Sequence, residues 1–260
     1  MGWEMNPLTE REFYDRLAEF FDVMTDWHSR LAVELPFIET ILARHNARAL
    51  LDCACGTGWH AIALAQRGYR VAGSDASAEM IARARANAER AHAPIPFAVA
   101  RFDELPKTFN ERFDAVICLG NSFVHVLDDA TAEASFVAMR ASLRAGGALI
   151  LHNLNYDKRW SEKPRWFAVN AGTLGNRETL VWRFADYGAT QITFNIALFT
   201  KNQDAWSVNV QGTLQRPYQK SELGSFLRRA GFRDIAFYGN LKGEPFDVAH
   251  SGDLVIVATV

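Results

Sequence analysis

The feature that most constrains this chain is a series of short apolar segments separated by helix-like segments. The strand-like runs are residues 49–55, 69–74, 96–100, 113–120, 146–153, 232–238 and 253–259. Strands that are apolar on both faces are typical of parallel sheets covered by helices on both sides, and parallel strands need helical crossovers. The pattern predicts a doubly wound α/β fold with a mostly parallel, seven-stranded sheet.

Two regions depart from this alternation. Apolar residues recur in steps of three and four from residue 11 to about 44, which predicts one or two amphipathic N-terminal helices. Period-two segments, which predict an antiparallel β insertion after the fifth strand, cover 166–171, 179–187, 191–200 and 207–214. We therefore predict a helical lid at 1–45, a cofactor-binding core at 46–158 and 215–260, and an insertion at 159–214 on the substrate side.

Composition narrows the set of partners. A net charge of −2 is the wrong sign for a protein that binds phosphate backbones. No apolar run approaches the roughly 20 residues that a membrane span needs, and the first residues lack a secretory signal. Cys53, Cys55 and Cys118 lie in apolar, strand-like surroundings, so we expect buried thiols. We expect a cytoplasmic protein that binds neither nucleic acid nor membrane, and a homo-oligomer is left open.

The loop after the first strand carries the clearest ligand-binding signal. Gly56 and Gly58 allow a tight turn and a close approach of the backbone to a ligand at the carboxyl end of the sheet. Asp75 ends the second strand 19 residues after Gly56, near the roughly 20 expected for a carboxylate that binds a ribose. The spacing predicts a nucleoside ligand.

Two kinds of nucleoside fit this loop. The glycine spacing also satisfies the dinucleotide fingerprint, so an NAD(P)-dependent oxidoreductase stays open. Asp52 favours the second kind, a nucleoside that carries a methionine moiety. An acid four residues before the first glycine would repel a pyrophosphate, whereas it could orient the ammonium group of a methionine moiety.

Several motifs together resemble the glycine/sarcosine N-methyltransferase branch of class I methyltransferases, which use S-adenosylmethionine. They are DCACGTG, VAGSDAS with Met80 after it, FDAVICLGNSFVHV, and HNLNYD at the end of the fifth strand. The resemblance runs from about residue 12 to 160. It implies S-adenosylmethionine as cofactor, S-adenosylhomocysteine as product, and a small-molecule acceptor with an amine nitrogen as the preferred acceptor atom. An O-methyltransferase and a catalytically silent binding module stay open as alternatives.

The resemblance also implies site residues. Those expected at the cofactor are Tyr14, Arg30, Asp52, Ala54, Gly56, Gly58, Asp75, Ala76, Met80, Arg101, Phe102, Asp103, Leu119 and His125. Arg30 would pair with the methionine carboxylate. Arg101 stands where an acid or amide often contacts adenine, and Asp103 could substitute for it. Asn121, His125 and Tyr156 are the candidate catalytic residues, and no metal site is expected.

The acceptor site is predicted with less support from the motifs. The candidates are Asn121, Leu154, Tyr156, Trp160, Arg183, Arg216 and Tyr218. Leu154 occupies the position of the family's arginine for the glycine carboxylate, so we expect an acceptor other than glycine unless Arg159, Arg183 or Arg216 replaces that arginine. Catalysis would be mostly positioning of the acceptor.

Overall fold

The computed structural model describes residues 6–260, in which eight α-helices and eleven strands are found. The helices are α1 (Glu10–Leu17), α2 (Trp27–Arg44), α3 (Trp59–Gln66), α4 (Ala78–Arg90), α5 (Leu105–Thr108), α6 (Asp129–Ala141), α7 (Tyr156–Glu162) and α8 (Lys220–Arg229). The strands are β1 (Ala49–Asp52), β2 (Arg70–Asp75), β3 (Phe97–Val99), β4 (Phe113–Cys118), β5 (Leu143–Leu154), β6 (Asn170–Leu174), β7 (Arg177–Tyr187), β8 (Ile192–Asn202), β9 (Ala205–Gln215), β10 (Arg233–Tyr238) and β11 (Asp253–Thr259).

Seven strands form one sheet in the order β10-β11-β5-β4-β1-β2-β3. The pairs from β3 to β5 are parallel, and β11 is antiparallel to both of its neighbours. The strand order reverses between β1 and β4, which is the switch point where open α/β sheets bind ligands. The predicted doubly wound, mostly parallel seven-stranded sheet is confirmed.

Helices cover both faces of this sheet, which explains why its central strands are apolar throughout. One apolar cluster packs α2, α3 and α4 against the sheet, and Ile38 and Ile41 of α2 are fully buried in it. The other cluster joins the sheet to α6 and α8 through Phe136 and Phe226. Within the segment predicted as a lid, α2 packs in the core, whereas α1 and the short 3₁₀ helix Phe21–Met24 pack with residues of the inserted sheet. Residues 1–5 of that segment lie outside the described residues.

Four antiparallel strands, β6 to β9, form the insertion after β5. Three of them lie close to their predicted positions, whereas the first does not. Residues 166–171 were predicted as a strand, but β6 starts at Asn170, and Trp166 makes only an isolated bridge to Phe184. The tight turn at Gly175, whose φ is +63°, pairs Leu174 with Arg177 and so sets the register of β6.

Helix α1 joins the insertion to the core. Its Thr9 side chain and Glu12 form a capping box, which fixes the start of the helix. Phe13 and Leu17 are buried against Val181 and Ile196 of the inserted sheet. The helix therefore spans the opening between the inserted sheet and the carboxyl ends of the parallel strands.

Two further sequence expectations concern side chains and hydropathy. The three cysteines are buried free thiols, as predicted. Among the helices of residues 6–260, none has the length and apolar character to cross a bilayer.

Candidate active site

The loop between β1 and α3 is held by a carboxylate from the neighbouring strand. The Gly56 N–H donates to Oδ2 of Asp75 at 2.9 Å, and the Ser77 N–H donates to Oδ1 of the same residue at 3.0 Å. Gly56 has a φ of +51°, in the left-handed region that glycine adopts without strain. Asp75 is thereby fixed beside the loop with lone pairs left to accept further hydrogen bonds.

A cavity of about 660 Å³ lies at this edge of the sheet. Twelve of the predicted cofactor residues line it: Tyr14, Arg30, Ala54, Gly56, Asp75, Ala76, Met80, Arg101, Phe102, Asp103, Leu119 and His125. The structure thus brings together residues from the lid, the glycine loop and the ends of β2, β3 and β4. We call this space the cofactor cavity.

Gly58 and Asp52 do not line the cofactor cavity. A Cβ on Gly58 would lie 3.1 Å from the Ala84 Cβ and 3.2 Å from the Phe97 Cζ, so this glycine is required by packing behind the loop. Its predicted contact with the cofactor stays a prediction that the cavity lining does not support. Asp52 is fully buried, Oδ1 has no hydrogen-bond partner among the described residues, and burial raises the pKa of its carboxyl to about 7.

Arg30 belongs to a buried ionic network that the sequence analysis missed. Its Nε donates to Glu34 Oε1 at 2.9 Å, and Glu34 Oε2 lies 2.6 Å from His60 Nε2. Burial opposes ionisation of Glu34, but the hydrogen bond with His60 and the charge of Arg30 lower the pKa of this carboxyl to about 2. The i, i+4 spacing of Arg30 and Glu34 could have predicted their ion pair from the sequence. The contact with His60 could not be predicted in this way, because His60 follows Glu34 by 26 residues.

The 3₁₀ helix of the lid is tied to the glycine loop. Asp22 Oδ1 accepts hydrogen bonds from Trp27 Nε1 at 2.8 Å and from the Thr57 hydroxyl at 2.7 Å. These bonds position Phe21 over the loop. The Phe21 ring would lie 3.6 Å from a Cβ placed on Gly56. The lid and the loop together enclose one end of the cofactor cavity.

Tyr14 and His125 form a hydrogen-bonded pair at the inner wall of the cofactor cavity. His125 Nδ1 lies 3.1 Å from the Leu214 carbonyl oxygen, which can only accept, so the ring carries its proton on Nδ1. The Tyr14 hydroxyl therefore donates to Nε2, 3.0 Å away. Burial lowers the pKa of His125 to about 4 and raises the pKa of Tyr14, so both groups are uncharged at neutral pH.

A second cavity of about 240 Å³ adjoins the first, and we call it the inner chamber. The two spaces share Tyr14, Phe21, Arg30 and Gly120 as walls. Of the residues predicted for catalysis or the acceptor, the inner chamber is lined by Asn121, Leu154, Tyr156 and Arg183.

A small hydrogen-bond network organises the wall of the inner chamber next to β5. Asn121, whose φ is 64°, accepts the Leu154 N–H at 3.0 Å and donates to the Tyr156 hydroxyl at 3.0 Å. The Tyr156 hydroxyl is 3.4 Å from Gln215 Oε1, and burial raises its pKa to about 12. The network fixes the loop after β4 against the end of β5.

Three predicted acceptor residues lie outside both cavities. Arg216 pairs with Asp129 at 2.7 Å and with Glu222, and its guanidinium lies over the Tyr218 ring. Tyr218 is fully buried in the core and donates to the Val126 carbonyl at 2.7 Å. Trp160 packs against Tyr187, with ring centroids 5.9 Å apart. Local ion pairs and core packing hold these side chains outside both cavities, so their predicted contact with an acceptor stays a prediction that the cavity lining does not support.

Other residues of the inner chamber were not among the predicted site residues. They are Leu17, Met24, Thr25, His152, Arg159, Phe167, Ala185, Tyr187, Ile192, Phe194, Ile196 and Gln215. Arg159 was named only as a replacement for the missing arginine, and His152 begins the HNLNYD motif. Most of the remainder come from the inserted sheet and α1, and Met24, Thr25 and Phe167 come from the 3₁₀ helix and the connecting segments. Period-two and helical patterns do not reveal which face of an element lines a cavity.

The residues around the cofactor cavity fit a nucleoside that carries an amino acid. Arg30 offers a cation for a carboxylate. Asp52 does not line the cavity, but it ends β1 directly before the loop, and its buried Oδ1, which has no hydrogen-bond partner among the described residues, could accept from an ammonium group. Asp75 can accept ribose hydroxyls, while Met80 and Phe102 give apolar walls for a flat base. The ends of the cavity therefore differ in chemistry as the parts of S-adenosylmethionine do.

Comparisons with known proteins agree with this fit. A family model described as a methyltransferase domain matches residues 50–147. A glycine/sarcosine N-methyltransferase from Aphanothece halophytica is 29% identical over 237 residues, which are 90% of this chain and 84% of the relative. One from Parasynechococcus marenigrum (strain WH8102) is 36% identical over 57% of this chain and 53% of its own length. Several other curated relatives are likewise matched over about half of their length.

Solved structures support the same fold. An S-adenosylmethionine-dependent methyltransferase from Clostridium acetobutylicum ATCC 824 has a TM-score of 0.76 at 16% identity, covering 96% of this chain and 98% of the other. The sugar N-methyltransferase KedS8 from Streptoalloteichus sp ATCC 53650 has a TM-score of 0.71 at 20% identity, covering 100% and 96%.

The fold, the loop and these matches define a class I methyltransferase. The chain is an enzyme of that class, its cofactor is S-adenosylmethionine, and within the class it resembles the glycine/sarcosine N-methyltransferases. The nicotinamide-dependent oxidoreductase and the silent binding module are therefore set aside.

Proposed function

We propose that this enzyme methylates the nitrogen of a small-molecule amine that binds in the inner chamber. The observation that carries the proposal is the junction of the two cavities at Tyr14, Arg30 and Gly120, because a methyl group held in one can meet a nucleophile held in the other. A chamber of about 240 Å³ admits a small molecule only. The relatives whose names specify N-methylation favour nitrogen as the acceptor atom.

The predicted cofactor residues retain their roles as part of this proposal. Arg30, braced by Glu34 and His60, would bind the carboxylate of the methionine moiety, and Asp75 would bind the ribose. Bound S-adenosylmethionine supplies an electrophilic methyl group on a sulfonium. The lid formed by α1 and the 3₁₀ helix would exclude water from that group.

The candidate catalytic residues would orient the acceptor and would not act as strong bases. His125 has a pKa near 4 and its Nε2 is already engaged by Tyr14, so it is a weak base at neutral pH. Tyr14 keeps lone pairs on its oxygen, which can accept an N–H from the amine. Asn121 and Tyr156 would shape the opposite wall. The amine would bind in its neutral form. After methyl transfer, the methylated ammonium would lose a proton to water.

An acceptor screen tests the proposal. Purified enzyme is incubated with S-adenosylmethionine and matched amines, alcohols and phenols, with release of S-adenosylhomocysteine as the readout. We expect turnover with at least one amine, and tandem mass spectrometry should locate the new methyl group on nitrogen. Turnover with only hydroxyl compounds would replace the proposal with O-methylation.

A further inference from the structure

The charge of the inner chamber differs from that of the rest of the protein. Its lining contains Arg30, Arg159 and Arg183 as well as His152, and within residues 6–260 no Asp or Glu lines it. Glu34 neutralises Arg30 from outside the chamber. The other two guanidinium groups give the chamber an excess of positive charge, although the whole chain carries −2.

Arg183 has no carboxylate partner among the described residues. It projects from β7, half-buried, and its only side-chain hydrogen bond among the described residues is from Nη2 to the neutral amide oxygen of Asn170 at 2.9 Å. Its Nε is buried with no hydrogen-bond partner within residues 6–260, and burial lowers the pKa of the guanidinium. A partly desolvated cation with an unused donor is costly unless an anion completes it.

Arg159 approaches the same space from α7. Its guanidinium lies over the Phe167 ring, 5.1 Å from the centroid, a contact that orients the plane of the group. Phe167 and Tyr187, which also line the chamber, supply apolar surface beside the two arginines. Two guanidinium groups from different elements that line one chamber with aromatic side chains can bind a carboxylate in a fixed orientation.

The same charge distribution bears on the amine. A chamber with two uncompensated guanidinium groups, facing a sulfonium, repels an ammonium ion and so favours the neutral, nucleophilic form of the acceptor. A simple alkylamine would be repelled in its main form at neutral pH. If the amine also carries a carboxylate, the attraction of that carboxylate to the arginines would offset the repulsion.

We infer that the methyl acceptor is an amine larger than glycine whose carboxylate binds Arg183 and Arg159, on the side of the chamber formed by the inserted sheet and α7. The inference rests on the proposed function and narrows its substrate class. Leu154 then has no part in binding the carboxylate, and the replacement for the family's arginine comes from two other elements. Arg216, the third candidate, is occupied by Asp129 and Glu222.

Matched acceptor pairs test this inference. Each pair differs only by the carboxylate: 4-aminobutanoate against propylamine, phenylalanine against phenethylamine, and 4-aminobenzoate against aniline. We expect the best acceptor to be a carboxylate. For that compound Arg183→Gln should lower kcat/KM by about 10- to 100-fold, mostly through KM, while Arg183→Lys should retain an intermediate value.

The control variant is Arg165→Gln, because Arg165 is an exposed arginine of the neighbouring segment that pairs with Asp186 and lines neither cavity. It should leave kcat/KM unchanged. Binding of S-adenosylhomocysteine, followed by thermal shift, should be the same in all variants and shows that each is folded.

A binding measurement decides the matter should none of the six compounds be methylated. Butanoate and benzoate are titrated into the complex with S-adenosylhomocysteine by calorimetry, with butanamide and benzamide as neutral partners. Carboxylates should bind more tightly than the amides, and Arg183→Gln should remove the difference. Equal binding of the neutral partners, or a preferred acceptor without an anionic group, would overturn the inference. Methylation of oxygen in a carboxylate-bearing compound would instead refute the proposed N-methylation and leave only the carboxylate site at Arg183 and Arg159 supported.

Discussion

The two adjoining cavities are built on different principles. Most of the cofactor cavity is formed by loops at the carboxyl ends of β1, β2, β3 and β4, and it carries charges of both signs, such as Asp75 and Arg101. The inner chamber is formed largely by side chains of α1, α7 and the inserted sheet, and its full charges are all positive. The shape of the cofactor cavity is thus set by the course of the backbone, whereas the proposed recognition of the acceptor would depend on side chains of an added element, which can be exchanged without changing the core.

The dependence of the cofactor cavity on backbone packing can be tested at Gly58. Gly58→Ala would force a Cβ against Ala84 and Phe97 at a φ of +87°, so we expect the free energy of unfolding to fall by about 2 to 4 kcal/mol. Denaturant titration measures the loss. Gly68→Ala is the matched control because Gly68 has a φ of +90° with nothing within 4 Å of its Cβ, and should cost about 1 to 2 kcal/mol. Equal losses would show that packing behind the loop is unimportant.

Asp75 should affect one cavity and spare the other. Replacing it with Ala removes the acceptor for two backbone N–H groups and for the proposed ribose contact, so affinity for S-adenosylhomocysteine should fall by about 1 to 3 kcal/mol. Calorimetry gives the Kd, and Asp75→Asn should show a smaller loss. The KM of the acceptor at saturating cofactor should not change. A variant that binds the cofactor normally would remove Asp75 from the site.

Asp52 predicts a pH dependence confined to the cofactor cavity. Burial raises the pKa of its carboxyl to about 7 in the free enzyme, and we expect the ammonium group of a bound methionine moiety to favour the ionised form. Binding then releases a proton below pH 7, so affinity for S-adenosylhomocysteine should rise with pH up to about 7 and level off above it, by at most about tenfold per pH unit. Asp52→Asn should flatten the profile. Glu10 also has a pKa raised to about 7, mainly by burial, so Glu10→Gln is measured in parallel.

The same shift has the opposite effect on stability in the absence of ligand. A carboxyl whose folded pKa lies above its unfolded value of about 3.9 favours the folded state most at low pH, and that contribution is lost as pH rises from about 4 to 7. The free energy of unfolding of Asp52→Asn, compared with that of the unchanged enzyme, should therefore show a gain that grows over this range. A constant difference across the range would contradict the raised pKa.

The sequence revealed the cofactor cavity far better than the inner chamber. The parallel core and Asp75 follow from periodicity and from a spacing along the chain, both of which are local properties. Gly58 has the right spacing but serves packing, which depends on Ala84 and Phe97 from distant elements. The ion pairs of Arg216 could not be predicted, because its partners Asp129 and Glu222 become neighbours only after folding.

Leu154 offers the finest test of the difference between the cavities, because it lines the inner chamber at the position where the related glycine enzymes are expected to carry an arginine. Its N–H is held by Asn121, so the backbone there is already ordered. Leu154→Arg should raise kcat/KM on glycine by about two- to tenfold, since one charge-assisted contact is added to a chamber shaped for a larger acceptor. Leu154→Met is the matched control and should give no gain. If the arginine variant binds S-adenosylhomocysteine normally and glycine methylation stays unchanged, position 154 does not face the acceptor, and the correspondence with the glycine enzymes would fail at the end of β5.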